Sequence, residues 1–215
     1  MPVDYFSFCP LMIFNQVKMQ VEIMTTPTVV KTYTPIEYFA LEESAQLRHR
    51  YCNGEIIPMP GGTPNHNKLT LIFIALLMKK LKKNPYEVFG ADLRLWIPEK
   101  NTYNYPDVMV VPKPVELQPG RKDTVTSPVF IAEVLSNATK NYDRSEKFID
   151  YRTIPSFQEY LLIDQYKPHV EQYIKQGANQ WLLVEYDRLE DSFLLPSLGI
   201  EISLADLYEN VEFSG

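Results

Sequence analysis

Two carboxylates stand in surroundings that a folded chain rarely gives a lone acid. Glu133 lies inside the apolar run PVFIAEVLS, residues 128–136, and Asp107 follows Pro106 and opens the apolar run DVMVV. A carboxylate buried among apolar residues is unfavourable unless a cation or several hydrogen-bond donors compensate it. If the two runs are adjacent strands, the acids converge. Two oxygen ligands completed by water and a phosphate oxygen suit Mg²⁺ or Mn²⁺ better than zinc, which favours His or Cys. Such an ion polarises a phosphate ester and makes a bound water nucleophilic. A lysine nearby would orient or deprotonate that water and offset the charge building on the phosphorus oxygens.

Plainer readings stand beside this one. Asp107 suits a strand start after proline, and Glu133 suits a buried ion pair with Arg94 or Lys147. Asp92 and Arg94 alternate along ADLRLW as a strand-face ion pair would. His66 falls between Asn65 and Asn67 in the first turn of a helix, where free backbone amides favour a phosphate, although a lone histidine is more often structural. Lys79, Lys80, Lys82 and Lys83 make a basic helix end that dipole complementarity explains without nucleic acid. Gly61-Gly62 lacks the rest of a phosphate-loop pattern.

The elements that must position these residues are legible in outline. Thr34, Pro35 and Glu37 form a capping box with proline at the first helical position, which predicts a helix over residues 36–51. Asn53-Gly54 marks a turn before a short strand within 55–62. Thr63-Pro64 opens a second helix over 65–83, apolar nearly all round at its centre, and Asn84-Pro85 stops it. Strands are then expected over 86–98, 105–112 and 128–136, with a loop over 113–127. Asp143-Arg144-Ser145-Glu146 reads as the start of a helix ended by Pro155. Three more strands follow over 159–165, 169–176 and 181–187, and 204–208 is at most a short helix. This order implies an α/β fold with helices packed against a sheet.

At 215 residues one domain is the expectation. With 21 basic and 27 acidic residues the net charge is −6, which argues against a protein that coats nucleic acid nonspecifically, so any such contact must be local. Cys9 and Cys52 have no metal-ligand spacing, and a reducing cytoplasmic compartment is the simplest expectation. No apolar run is long enough to cross a bilayer. Residues 1–26 are expected to be a tail or an upstream-start extension, with Met24 as the start of the native chain, because Asp4 stands where a secretory signal would be basic.

Pro106-Asp107, then Glu133-Val134-Leu135-Ser136, then a helix carrying Lys147 resemble the PD-(D/E)XK nuclease pattern. The runs RHRYCNGEIIPMPGGTPNHN, FGADLRLWIP, YPDVMVV, EVLS and YDRSEKFIDYR are similar, in order and spacing, to the Uma-two family of restriction-endonuclease-like proteins, over residues 27–213. The resemblance implies a restriction-endonuclease-like central mixed β-sheet flanked by helices, and a Mg²⁺- or Mn²⁺-dependent endonuclease that hydrolyses DNA phosphodiester bonds. It implies Asp107 and Glu133 as metal ligands, with the Val134 carbonyl as a third; Glu55, after the Asn-Gly turn, is either a further ligand, which the resemblance favours, or a plain turn acid. The nuclease pattern places lysine two residues after the glutamate, where this chain has Leu135, so Lys147 on the following helix becomes the candidate catalytic lysine, with Asp143 capping that helix. Arg50 stands where the family often has a glutamate. A homodimer, the commonest assembly, would let two sites cut two strands. The rival expectation is a nuclease fold kept as a binding or assembly module, with weak or absent catalysis. A third is hydrolysis of a small phosphoester.

Overall fold

The computed structural model describes residues 31–59 and 61–213; the expected N-terminal extension, with Cys9 and Met24, lies outside them. Helix α1 (Pro35–Ser44) begins with the expected capping box: the Thr34 hydroxyl accepts from the Glu37 N–H, and Glu37 accepts from the Thr34 N–H at 2.7 Å. It ends seven residues earlier than the sequence predicts. His49–Cys52 instead form strand β1, because they pair with β2 (Glu55–Pro58) across the Asn53-Gly54 turn and, on the other side, with the Thr102–Asn104 strand. Asn53 and Gly54 both have positive φ, 44° and 101°, as a tight hairpin turn demands.

Helix α2 (Pro64–Lys80) follows, capped by Thr63 and starting with proline. The run 86–98, read as one strand, is two. β3 (Tyr86–Gly90) and β4 (Arg94–Ile97) are separated by a turn and join different sheets. β5 (Thr102–Asn104) and the two-residue β7 (Thr124–Val125) are additions to the expected set, the latter inside the predicted loop. β6 (Val108–Pro112) and β8 (Phe130–Leu135) fall within the predicted apolar runs. Helix α3 covers 140–151: a first turn Lys140–Tyr142, a π-helical segment Asp143–Lys147 and a last turn Phe148–Tyr151. β9 (Glu159–Asp164), β10 (Val170–Gly177) and β11 (Gln180–Tyr186) come as expected, and an unpredicted hairpin, β12 (Ser192–Leu195) with β13 (Ile200–Ser203), precedes α4 (Leu204–Leu207).

The central sheet is six-stranded and mixed, in the order β11-β10-β9-β8-β6-β3; β8 and β9 run parallel and every other pair antiparallel. A five-stranded sheet, β2-β1-β5-β4-β7, forms a wing. Alternation along β6 and β8 divides the core between two faces. Val108, Val110, Phe130, Ala132 and Val134 pack with Leu69, Phe73 and Leu77 of α2. Met109, Val111, Ile131 and Leu135 pack with Phe148 and Tyr151 of α3. The α/β class with a helix-flanked mixed sheet is therefore the fold of the chain.

Candidate active site

The register of β6 against β8 decides where the two acids meet. Val108 pairs with Ala132, so continuing the antiparallel register by one residue sets Asp107 opposite Glu133. Directly opposed residues project from the same face of a sheet, here the face covered by α3. The Asp107 N–H donates to Glu133 Oε2 at 3.3 Å. Asp107 Oδ2 accepts from the Val134 N–H at 2.8 Å and lies 3.1 Å from His66 Nε2. The N–H and C=O of one strand residue point to the same side, so the Val134 carbonyl also faces Asp107. Among the described residues Asp107 Oδ1 has no hydrogen-bond partner.

Glu133 is 2% exposed, and its Oε1 is held by two groups from α3. Lys147 Nζ lies 2.7 Å away and the Tyr151 hydroxyl donates at 2.8 Å. Lys147 also donates to Asp143 Oδ1 at 3.2 Å. Asp143, Lys147 and Tyr151 recur at intervals of four, one stripe of a helix turned toward the sheet, and the π-helical segment buries both Asp143 and Lys147. Asp143 is thus an interior helical residue that holds Lys147, not the expected cap. The helix begins at Lys140, three residues earlier, and Asp143 has helical φ and ψ, so the geometry of a cap is absent. Leu135 points to the same face as Glu133 but packs into the α3-side core. The ammonium missing from that strand position arrives from the helix.

These groups share one cleft of about 330 Å³, whose walls include His66, Asp107, Glu133, Val134, Asp143 and Lys147. Its electrostatics are strongly coupled. Burial pushes the Glu133 carboxyl up to about 8 against the pull of Lys147, with Asp107 and Asp143 adding repulsion. Lys147 is held charged: desolvation opposes its charge, but Glu133, Asp143 and Asp107 outweigh it and raise its pKa. Desolvation likewise works against charge on His66, yet its bond to Asp107 and the nearby Glu133 raise it above the usual imidazole value. Asp107 is lowered, because His66, Lys147 and the Val134 N–H outweigh its burial. Both oxygen positions left for a cation, Asp107 Oδ1 and Glu133 Oε2, are carboxylate, and the facing backbone atom is a carbonyl. This all-oxygen set fits Mg²⁺ or Mn²⁺ rather than zinc.

Several expectations land elsewhere. Glu55 is exposed at the end of the β1–β2 hairpin and does not line the cleft. Arg94 is not the partner of Glu133: it donates to the Tyr105 hydroxyl and pairs with Asp123 in the wing sheet. Nor does it pair with Asp92, which lies in the turn before β4 and reaches Arg48 at 3.4 Å. A second cluster, His169, Glu171 and Glu185 on β10, β11 and the approach to them, brings possible ligand atoms together, but Arg144 already donates twice to Glu171. Sequence reasoning missed Tyr151 and Gln165. The i,i+4 spacing from Lys147 was a usable signal for Tyr151. Gln165 gave none: it is buried just after β9, donates to the Leu135 carbonyl at 2.6 Å and meets the Thr63 hydroxyl, tying the start of α2 to the end of β8.

Comparison with known proteins decides the family. The family model Uma2, described as "Putative restriction endonuclease", matches residues 35–205. The chain belongs to the Uma2 family. Two Synechocystis sp. (strain ATCC 27184 / PCC 6803 / Kazusa) proteins resemble it, both titled uncharacterized. One, sll1609, is 44% identical over 162 residues, covering 75% of this chain and 92% of that protein. The other, slr1290, is 33% identical over 185 residues, covering 84% and 93%. A crystal structure from Anabaena variabilis ATCC 29413, titled as a "putative nuclease belonging to DUF820", superposes with a TM-score of 0.66 over 82% of this chain and 97% of that one, at 18% identity. That likeness is one of fold. The cleft described above lies wholly within the Uma2 match, with Asp107, Glu133 and Lys147 all inside 35–205. No helix among the described residues is long and apolar enough to cross a membrane.

Proposed function

We propose that this Uma2 chain is a divalent-metal-dependent endonuclease acting on DNA, with Asp107 and Glu133 as its metal-binding carboxylates. The observation that carries the reading is the β6–β8 register, which sets the two acids opposite each other on a cleft wall with Lys147 on Glu133. Asp107 Oδ1, Glu133 Oε2 and the Val134 carbonyl would hold Mg²⁺ or Mn²⁺. The bound ion would supply Lewis-acid polarisation of the phosphate and a more acidic water.

The chain's own groups do the rest. Lys147, kept protonated by three acids, acts as a fixed positive charge that stabilises negative charge on the phosphate oxygens rather than as a base. Tyr151 and Asp143 hold Lys147 and Glu133 in place, so the site is organised before substrate arrives. His66 orients Asp107 through Nε2 and leaves Oδ1 turned to the cleft. The β6–β8 face and α3 exclude water from the far side of Glu133.

The test is cleavage of supercoiled, linear and single-stranded DNA with Mg²⁺ or Mn²⁺. Nicking or cutting that disappears in Asp107→Ala and Glu133→Gln supports the reading; no cleavage of any form by the wild-type chain contradicts it. A second reading, a nuclease fold kept for binding or assembly, draws on the fact that Lys147 and His66 already pair with both carboxylates. It requires a folded wild-type chain that takes up no divalent ion.

A further inference from the structure

Three polar side chains lining the same cleft take no part in the metal reading. Asn104, in β5, is 1% exposed, and neither its amide oxygen nor its amide nitrogen has a hydrogen-bond partner among the described residues. The Tyr142 hydroxyl, from the first turn of α3, is likewise buried and unpartnered. Arg50, in β1, lays its guanidinium 3.9 Å from the centre of the Tyr142 ring, and among the described residues no carboxylate pairs with it. All three line the cleft with Asp107 and Glu133.

A buried amide or hydroxyl without a partner destabilises the fold, so each such group asks for an explanation in a ligand, an ion or a water. Here two occur together, beside a guanidinium that pairs with no carboxylate among the described residues. We propose that Arg50, Asn104 and Tyr142 form a subsite for a phosphate group of the nucleic-acid backbone, in the same cleft as the metal-binding carboxylates. The inference rests on the nuclease reading for its substrate class, not for its geometry.

The donor inventory favours phosphate over a nucleobase. Arg50 offers a planar fork of N–H donors matched to a phosphate, with its charge unspent. Asn104 adds an N–H₂ and Tyr142 an O–H, so donors of three kinds outnumber the two free acceptors, the Asn104 carbonyl oxygen and the Tyr142 phenolic oxygen. A base edge would need donors and acceptors in alternation. Stacking on Tyr142 holds the guanidinium flat at the cleft wall and limits the freedom lost on binding. The apolar stretch Ile57-Pro58-Met59 of the neighbouring hairpin closes the rim, where exclusion of water strengthens a charged contact.

The test separates this subsite from the metal pair. Phosphorus NMR titrations of inorganic phosphate and of thymidine 5′-monophosphate, in EDTA, read the subsite alone; Mn²⁺ calorimetry without nucleotide reads the carboxylates alone. Arg50→Gln and Asn104→Leu are expected to weaken phosphate binding by about tenfold or more each, with Mn²⁺ binding unchanged. Thymidine, which lacks the phosphate, is expected not to compete. Asn104→Leu carries the sharper outcome: because the amide makes no bond in the protein, its melting temperature is expected to stay level or rise. A melting temperature that falls while phosphate affinity is retained would overturn the proposal and mark Asn104 as a structural residue held through water. Phosphate binding that persists in Arg50→Gln would overturn it as well.

Discussion

Glu133 is held by Lys147 and Tyr151 from one helix and by the Asp107 N–H from the neighbouring strand, so its surroundings are set by two elements besides its own strand. Removing Lys147 leaves Glu133 and Asp143 buried without a cation. Above about pH 8, where Glu133 is ionised, Lys147→Ala is therefore expected to lower stability by about 3–5 kcal/mol in urea denaturation, the cost of an uncompensated buried charge; a loss under about 1 kcal/mol there would mean that Glu133 takes up a proton instead. The titration of the cleft gives a second expectation. Glu133 is raised to about 8 and His66 is raised above its usual value. A protonated Glu133 cannot ligate a cation, and a protonated His66 repels one. Both signs agree: Mn²⁺ affinity should strengthen from about pH 6 to about pH 8, and calorimetry showing affinity flat across that range would contradict it. At this scale the sequence disclosed the acids, because an acid in an apolar run is conspicuous. It did not disclose Tyr151, Asn104 or Tyr142, whose types are ordinary and whose roles arise only from what surrounds them.

Strand register and helix placement carry the next level. The β6–β8 pairing was foreseeable because each run is apolar and bounded by proline or polar residues, and the second helix was foreseeable from its cap and its apolar centre. The first helix was overextended. Residues 49–51 can be helical by propensity, but pairing with β2 and β5 wins, and tertiary partners are invisible to local pattern. The same reason explains the split of 86–98: the turn after Gly90 sends β4 to another sheet, which alternation alone does not reveal. Before α2, Gly62 lies close under the His66 ring. A Cβ on Gly62 would stand 3.0 Å from His66 Nδ1, so Gly62→Ala is expected to displace the ring and weaken its pairing with Asp107. The His66 pKa, followed by NMR, should fall toward the ordinary imidazole value; an unchanged titration would show that the ring adjusts without leaving Asp107.

For the whole molecule, a net charge of −6 and a cleft in which, among the described residues, Arg50 pairs with no carboxylate imply under the proposed endonuclease reading that nucleic acid is contacted at a few phosphates only. Binding of a DNA oligonucleotide should then show a shallow dependence on salt, with a slope of log K against log salt no steeper than about −3; a steep slope would require an extended basic surface, which the composition does not favour. The five-stranded wing has a use in this picture, because β1, β2 and β5 bring Arg50, Ile57 and Asn104 against the cleft that the central sheet opens. The nuclease account stands or falls on the ion at the two opposed carboxylates. Isothermal calorimetry of the wild-type chain with Mn²⁺ at about pH 8 tests it most directly. Saturable binding is expected, lost in Asp107→Asn and in Glu133→Gln while both variants stay folded. No binding to the folded wild-type chain, or binding that survives both substitutions, would contradict it.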